Sequence, residues 1–208
     1  MGTESFESGR MLNAKRFLVL ALGVFALVPG ASAGVFSSIH YVDPQKFSLG
    51  IEPELMFSEP AGVGANFRYN HGLNDFLNAG LVLGTGGGNR GFRVGGNMLA
   101  EFFPDVDAQP ALGVSLQMLY VRSTERGQLE LTVAPYVRKT FHAGSNQFQP
   151  YVAIPFGTAF RGGEYRGIST FVVGSQFTIS SQMSALAEMG IALSNTDTYL
   201  SGGVVYYY

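Results

Sequence analysis

The 208-residue chain has no cysteine and no tryptophan, and only 13% of it is charged. Without cysteine there is no disulfide scaffold, thiolate metal site, cysteine nucleophile or lipidated N-terminal cysteine. Thirteen Lys and Arg against fifteen Asp and Glu leave a formal charge of −2, so the basic footprint of a nucleic-acid binder is missing. Ordinary soluble domains carry roughly 25% charged residues, and this chain falls well short. Disorder does not explain the deficit, because 46% of the chain is hydrophobic and 13% aromatic. What the chain has in abundance is glycine, 28 residues of it, with 17 Phe and 10 Tyr.

Long hydrophobic runs are also scarce. The one continuous apolar stretch, 17–28 (FLVLALGVFALV), follows Lys15 and Arg16, is broken by Pro29-Gly30, and leads into Ala31-Ser32-Ala33. That order of positive charge, short apolar core and small-x-small site reads as a cleaved Sec-type signal helix over 11–33, with Gly34 as the mature N-terminus. It is shorter than the ~20 residues that a spanning helix needs. Residues 1–10 (MGTESFESGR) are polar and partly acidic, unlike a signal's leading region, and read as a non-native extension ahead of a start at Met11. Beyond residue 33 no apolar run approaches 18 residues, so no membrane helix is expected there.

Instead the chain is cut into short pieces by Gly, Asn, Asp, Ser and Pro, many alternating with the period of two that marks strands. We read ten: 46–57, 62–71, 76–84, 91–103, 110–121, 128–141, 148–160, 168–180, 185–194 and 198–208, with eight as the alternative count. The connections, among them SEPA, GLND, TGGGNR, PDVDAQ and RGGEYRG, are short, which forces sequential antiparallel hairpins. Residues 46–208 therefore read as one all-β domain, preceded by a periplasmic lead-in over 34–45. Pro53, Pro135, Pro150 and Pro155 each remove a ladder donor, and irregular pairing is expected around 150–155.

The placement of charge decides which face meets water. In the second piece Val63, Ala65, Phe67 and Tyr69 share one parity, and Gly64, Asn66, Arg68 and Asn70 the other; the remaining pieces repeat the division. Glu52, Glu54, Arg68, Arg93, Glu101, Glu130, Arg138 and Glu188 all fall on the small, polar parity. A Lys or Arg on the lipid face at mid-bilayer costs about 2–4 kcal/mol, which accounts for that avoidance. The apolar parity is too bulky for a small barrel's lumen, so it is read as facing lipid. A soluble sandwich could bury it but would need more charge on its wet faces. Strands in hydrocarbon have no partner for an open edge, so the expected fold is a closed, antiparallel, up-and-down transmembrane β-barrel.

The chain stops within a strand, at Ser201-Gly202-Gly203-Val204-Val205-Tyr206-Tyr207-Tyr208. This resembles the C-terminal β-signal of bacterial outer-membrane β-barrel proteins, with Ser201, Gly203, Tyr206 and Tyr208 in the motif's positions and a terminal Tyr where Phe is commoner. With the signal peptide and the strand pattern, the chain is similar to small barrels of the OmpA-like and OmpX-like kind. The resemblance implies export to the bacterial outer membrane, insertion by the barrel-assembly machinery, and contact with outer-membrane lipid and lipopolysaccharide. A monomer is expected.

Two uses of the interior remain open. The eight inward charges serve either as ion pairs plugging a narrow lumen or as a Glu-lined constriction passing cations. Inward glycines such as Gly80, Gly113, Gly174 and Gly190 leave room for a pore, but they equally serve curvature. Catalysis is not expected, and a lipid-modifying or proteolytic barrel is the least favoured of the three readings. His40 lies in the lead-in, His71 and His142 are placed at turns, and all five Asp (Asp43, Asp75, Asp105, Asp107, Asp197) lie in turns or the lead-in. No serine or carboxylate is therefore positioned with a histidine in mid-strand. No cofactor or metal is expected, and Gly84-x-Gly86 opens no helix, so it is a hairpin tip rather than a dinucleotide loop.

Overall fold

The computed structural model describes residues 39–86, 91–122, 127–144 and 146–208. The predicted signal peptide, the extension before it and residues 34–38 lie outside the described residues. Among the described residues twelve strands occur in order: β1 (Phe47–Met56), β2 (Gly62–Asn74), β3 (Leu77–Gly86), β4 (Phe92–Phe103), β5 (Ala111–Arg122), β6 (Gly127–Arg138), β7 (Phe141–Ala143), β8 (Asn146–Ala153), β9 (Phe156–Arg161), β10 (Glu164–Ser180), β11 (Met183–Ser194) and β12 (Tyr199–Tyr207). All pair antiparallel with their neighbours, and β12 returns to β1, with Ser48 opposite Tyr207 and Met56 opposite Tyr199. β8 and β9 together form one stave between β6 and β10, so the closed barrel has ten staves. β7 extends the β6 side as a short hairpin with β8.

Local chemistry sets the boundaries. Gly162 and Gly163 both adopt positive φ, at 59° and 88°, giving a two-residue turn between Arg161 and Glu164. The stretch RGGEYRG, expected as a loop, thus contracts to its two glycines, and β10 starts earlier than the sequence reading has it. At the other end of the barrel, the Asn74 side chain accepts from the Phe76 amide at 2.9 Å, tightening the β2–β3 turn. β2 consequently runs through His71, which stands in a strand rather than a turn.

The seventh stave is interrupted at Ile154-Pro155, within the region where irregular pairing was expected. The register against β6 and β10 is the same before and after the break. Only the proline's missing donor is lost locally; the Ile154 amide still reaches Pro135 O, and Pro155 O still accepts from Thr170 N. Pro53, Pro135 and Pro150 all sit in register within their strands.

Side-chain alternation divides the wall sharply. Outward stand Leu49, Ile51, Val63, Phe67, Leu81, Leu83, Leu116, Met118, Leu131 and many more, each substantially exposed, with Val63 at 68%. Exposed aromatics gather near both mouths: Tyr69, Phe76, Phe102, Phe103, Phe141, Phe148 and Tyr208 at the end holding the chain terminus, and Phe57, Phe92, Tyr120, Phe160 and Tyr165 at the far end. An apolar band between two aromatic girdles is the exterior of a transmembrane barrel. Among the described residues no helix is long and apolar enough to cross a membrane; the strands do the crossing.

Candidate functional site in the barrel lumen

Because one parity faces lipid, the other must fill the inside, and the eight sequence-selected charges all point there. Glu52, Glu54, Arg93 and Glu130 are 2% exposed or less, Arg68, Glu101 and Glu188 are buried, and the Arg138 side chain is 11% exposed. Toward the far mouth Arg93 pairs with Glu54, whose other carboxylate oxygen accepts from Asn66 Nδ2 at 3.2 Å. Glu130 accepts from Gln128 Nε2 at 2.5 Å nearby. Further down, Arg68 Nε donates to Glu52 at 2.8 Å. At the terminal end Arg138 grips both Glu101 oxygens at 2.9 Å, a bidentate pair joined by Tyr136 Oη at 3.3 Å.

Glu188 is held by tyrosines. It accepts from two tyrosine hydroxyls, Tyr151 at 2.5 Å and Tyr199 at 2.7 Å. Those rings occupy the space left by glycines directly across the ladder. Gly174 faces Tyr151, Gly190 faces Tyr199 and Gly113 faces Tyr136. A Cβ on any of these three glycines would overlap the facing ring. These three inward glycines therefore make beds for tyrosines.

The interior is also less polar than the sequence reading has it. Leu99, Tyr136, Tyr151, Ala153 and Val172 form one buried cluster, and Val82, Leu119 and Val121 another. The lead-in joins the first. Read from sequence as a peptide outside the barrel body, it is instead folded into the terminal mouth, with Ile39, His40 and Val42 at 3%, 4% and 1% exposure. Nothing in its sequence distinguishes it from a tether; its three buried side chains acquire meaning only from the sockets that receive them.

Beside the lead-in lies a polar cavity of about 640 Å³, lined in part by Tyr41, Lys46, Arg138, Gln149, Gln176 and Tyr207. His71 faces outward, stacked on Tyr69 at 6.4 Å between ring centroids, and His142 is exposed on β7. Among the described residues no three His, Asp or Glu are grouped as metal ligands would be. Asp105 caps the neighbouring turn, receiving Lys139 Nζ and the Thr140 amide, each at 2.5 Å. Burial alone would raise its pKa, but those hydrogen bonds outweigh it and hold the carboxyl below its ordinary value. At the chain end Ser201 points inward and donates to Pro53 O at 3.1 Å, while Tyr206 and Tyr208 pack edge to face at 4.6 Å. Tyr208 also stacks on Phe47 at 4.8 Å. Gly203 lies where a Cβ would meet Ile51 O and the Glu52 side chain.

No protein-family model matches the chain, and no curated protein matches it. Solved structures of similar fold include an outer membrane channel from Pseudomonas putida F1, at 8% identity and TM-score 0.48, covering 81% of this chain and 97% of that one. The translocator domain of autotransporter NalP from Neisseria meningitidis matches at 10% identity and TM-score 0.40, covering 99% and 97%. Ail, the attachment invasion locus protein of Yersinia pestis, matches at 12% identity and TM-score 0.32, covering 80% and 100%.

Proposed function

We propose that this chain is a monomeric outer-membrane barrel with a filled lumen, serving membrane integrity rather than transport or catalysis. The observation that carries the reading is the stack of side chains across the bore. Arg93–Glu54, Arg68–Glu52, the Tyr151–Glu188–Tyr199 bridge and Glu101–Arg138 follow one another along it, and the lead-in closes the terminal mouth. The lipid-facing exterior and the even stave number, which leaves the first and last barrel residues, Phe47 and Tyr208, at one mouth, favour a bacterial outer membrane. Arg122, Arg161 and Arg166 near the far mouth suit lipopolysaccharide phosphates, and the strand ending in Ser201, Gly203, Tyr206 and Tyr208 suits engagement by the barrel-assembly machinery. The refolded protein should be silent in a planar bilayer; steady unitary currents would reject the filled-lumen reading.

A second reading, a narrow channel for ions or small polar solutes, draws support from the polar cavity at the terminal mouth. In that case currents should appear and should lose cation preference in Glu101→Ala or Glu130→Ala.

A further inference from the structure

The barrel wall is complete without the lead-in. Both edges of β1 are already paired, to β2 and to β12, so residues 39–46 add nothing to closure. They lie in the finished vessel as a peptide lies in a receptor. Ile39 enters the apolar socket of Leu99, Tyr136, Tyr151, Ala153 and Val172. His40 Nδ1 lies 2.9 Å from Gln176 Oε1, its Nε2 lies 3.1 Å from Ser48 Oγ, and its ring leans on Tyr207 at 5.2 Å. Tyr41 donates to Asp75 O at 2.9 Å beneath the Arg138 guanidinium, 5.1 Å from the ring centroid. The Val42 backbone is read at both its polar atoms by one side chain, donating to Asn78 Oδ1 at 2.6 Å and accepting from Asn78 Nδ2 at 3.0 Å. Regular pairing is confined to a parallel bridge between Pro44 and Gly72, where a Cβ on Gly72 would collide with Val42 O and Asp43 O.

We propose that the terminal mouth is a peptide-binding site for an extended segment of the pattern apolar–His–aromatic–apolar, and that residues 39–46 are its releasable occupant. The inference deepens the filled-lumen reading, on which it rests for the occupied mouth, but its test reads peptide docking rather than current. The polar cavity flanking Tyr41, Asp43 and Lys46 gives the segment room to leave.

His40 supplies the means of release. Burial, followed by the charges of Arg68 and Arg138, outweighs the Gln176 hydrogen bond and lowers its pKa to about 4. The groups facing it are Ser48 on β1, Arg68 on β2, Arg138 on β6, Gln176 on β10 and Tyr207 on β12, with Ser184 on β11 behind Gln176 and with Tyr41 and Asp43 along its own segment. Among the described residues no wall carboxylate is hydrogen-bonded to it. A released histidine titrates near 6.5, so the released state binds the proton first. Docking is therefore full at neutral pH and weakens as pH falls from about 6.5 toward 4, on the order of tenfold to a hundredfold.

The chain has no cysteine, so a single Val42→Cys or Asp43→Cys thiol in the full chain refolded in detergent is a unique probe. At pH 7.5 a water-soluble maleimide should label Val42→Cys at least tenfold more slowly than Asp43→Cys. That ratio should collapse at pH 5, and it should persist at pH 5 in a His40→Gln background. Unchanged protection at pH 5 with His40 present would overturn the release mechanism. In a second measurement, a fluorescent synthetic peptide of residues 39–46 is added to folded full-chain Val42→Asp. Saturable binding, lost when Asn78→Leu is added, is expected; a folded Val42→Asp barrel that takes up no peptide refutes the site. A wild-type current with intact peptide binding would overturn the filled-lumen reading alone.

Discussion

At the scale of single residues, the lumen trades hydration for pairing. Arg93 and Glu54 are both almost fully buried, and neither can be left alone without a large desolvation cost. Glu54→Ala should therefore cost about 3–5 kcal/mol in urea unfolding from micelles. The Glu54→Ala/Arg93→Ala double variant should cost clearly less than the two singles added, because neither member of the pair is left facing the other's absence. Outside the membrane, Asp105 offers a milder test. Its pKa is held below the ordinary Asp value by Lys139 and Thr140. The folded turn thus gains from the ionised form, and that gain is complete above about pH 3.9 and is lost only as the pH falls further. Exchange of the Thr140 amide should quicken in that acid range, and Asp105→Asn should remove the dependence.

At the scale of elements, each strand has one face for lipid and one for its neighbours across the bore. Leu116 lies near the middle of β5 and faces outward, whereas Val63 lies at the start of β2 near the far mouth. Leu116→Arg should cost about 2–4 kcal/mol of folding free energy in lipid vesicles, and Val63→Arg about 0–1 kcal/mol. Equal costs at the two positions would mean that Leu116 is not at the depth its strand position gives it. The strand pattern was readable because period-two alternation survives wherever a wall separates two solvents. Boundaries were less readable where turn chemistry is compact: Gly162-Gly163 turns the chain in two residues, and the sequence around it looks like a longer loop. The interruption at Pro155 was visible because proline's missing donor is a covalent fact. Its mildness was not visible, because register is held by the strands on either side.

At the scale of the whole molecule, an exterior of Leu, Val, Ile and Phe requires acyl chains or detergent around it. The protein should stay folded only in micelles or bilayers, and unheated samples should migrate differently from boiled ones on a gel. A monomeric, well-folded species in detergent-free buffer would contradict the transmembrane barrel.

The amino-acid order alone determined which atoms face lipid, because each charge in a strand body sits on the small, polar parity, and because hydrocarbon tolerates neither a charge nor an open edge. It also indicated a closed antiparallel barrel through the alternating segments and their short links, whereas the count, ten rather than the alternative eight, was settled by the pairing of β12 with β1 and of β8 and β9 as one stave. What fills the bore was decided only in three dimensions. Arg93 meets Glu54 across 39 positions of chain, and Tyr151 meets Glu188 across 37. Such meetings depend on stagger between staves, which alternation does not encode. The tyrosine beds over Gly113, Gly174 and Gly190 and the sockets that draw in Ile39, His40 and Val42 arise in the same way. Each is a surface assembled from several strands, and none exists until the barrel closes.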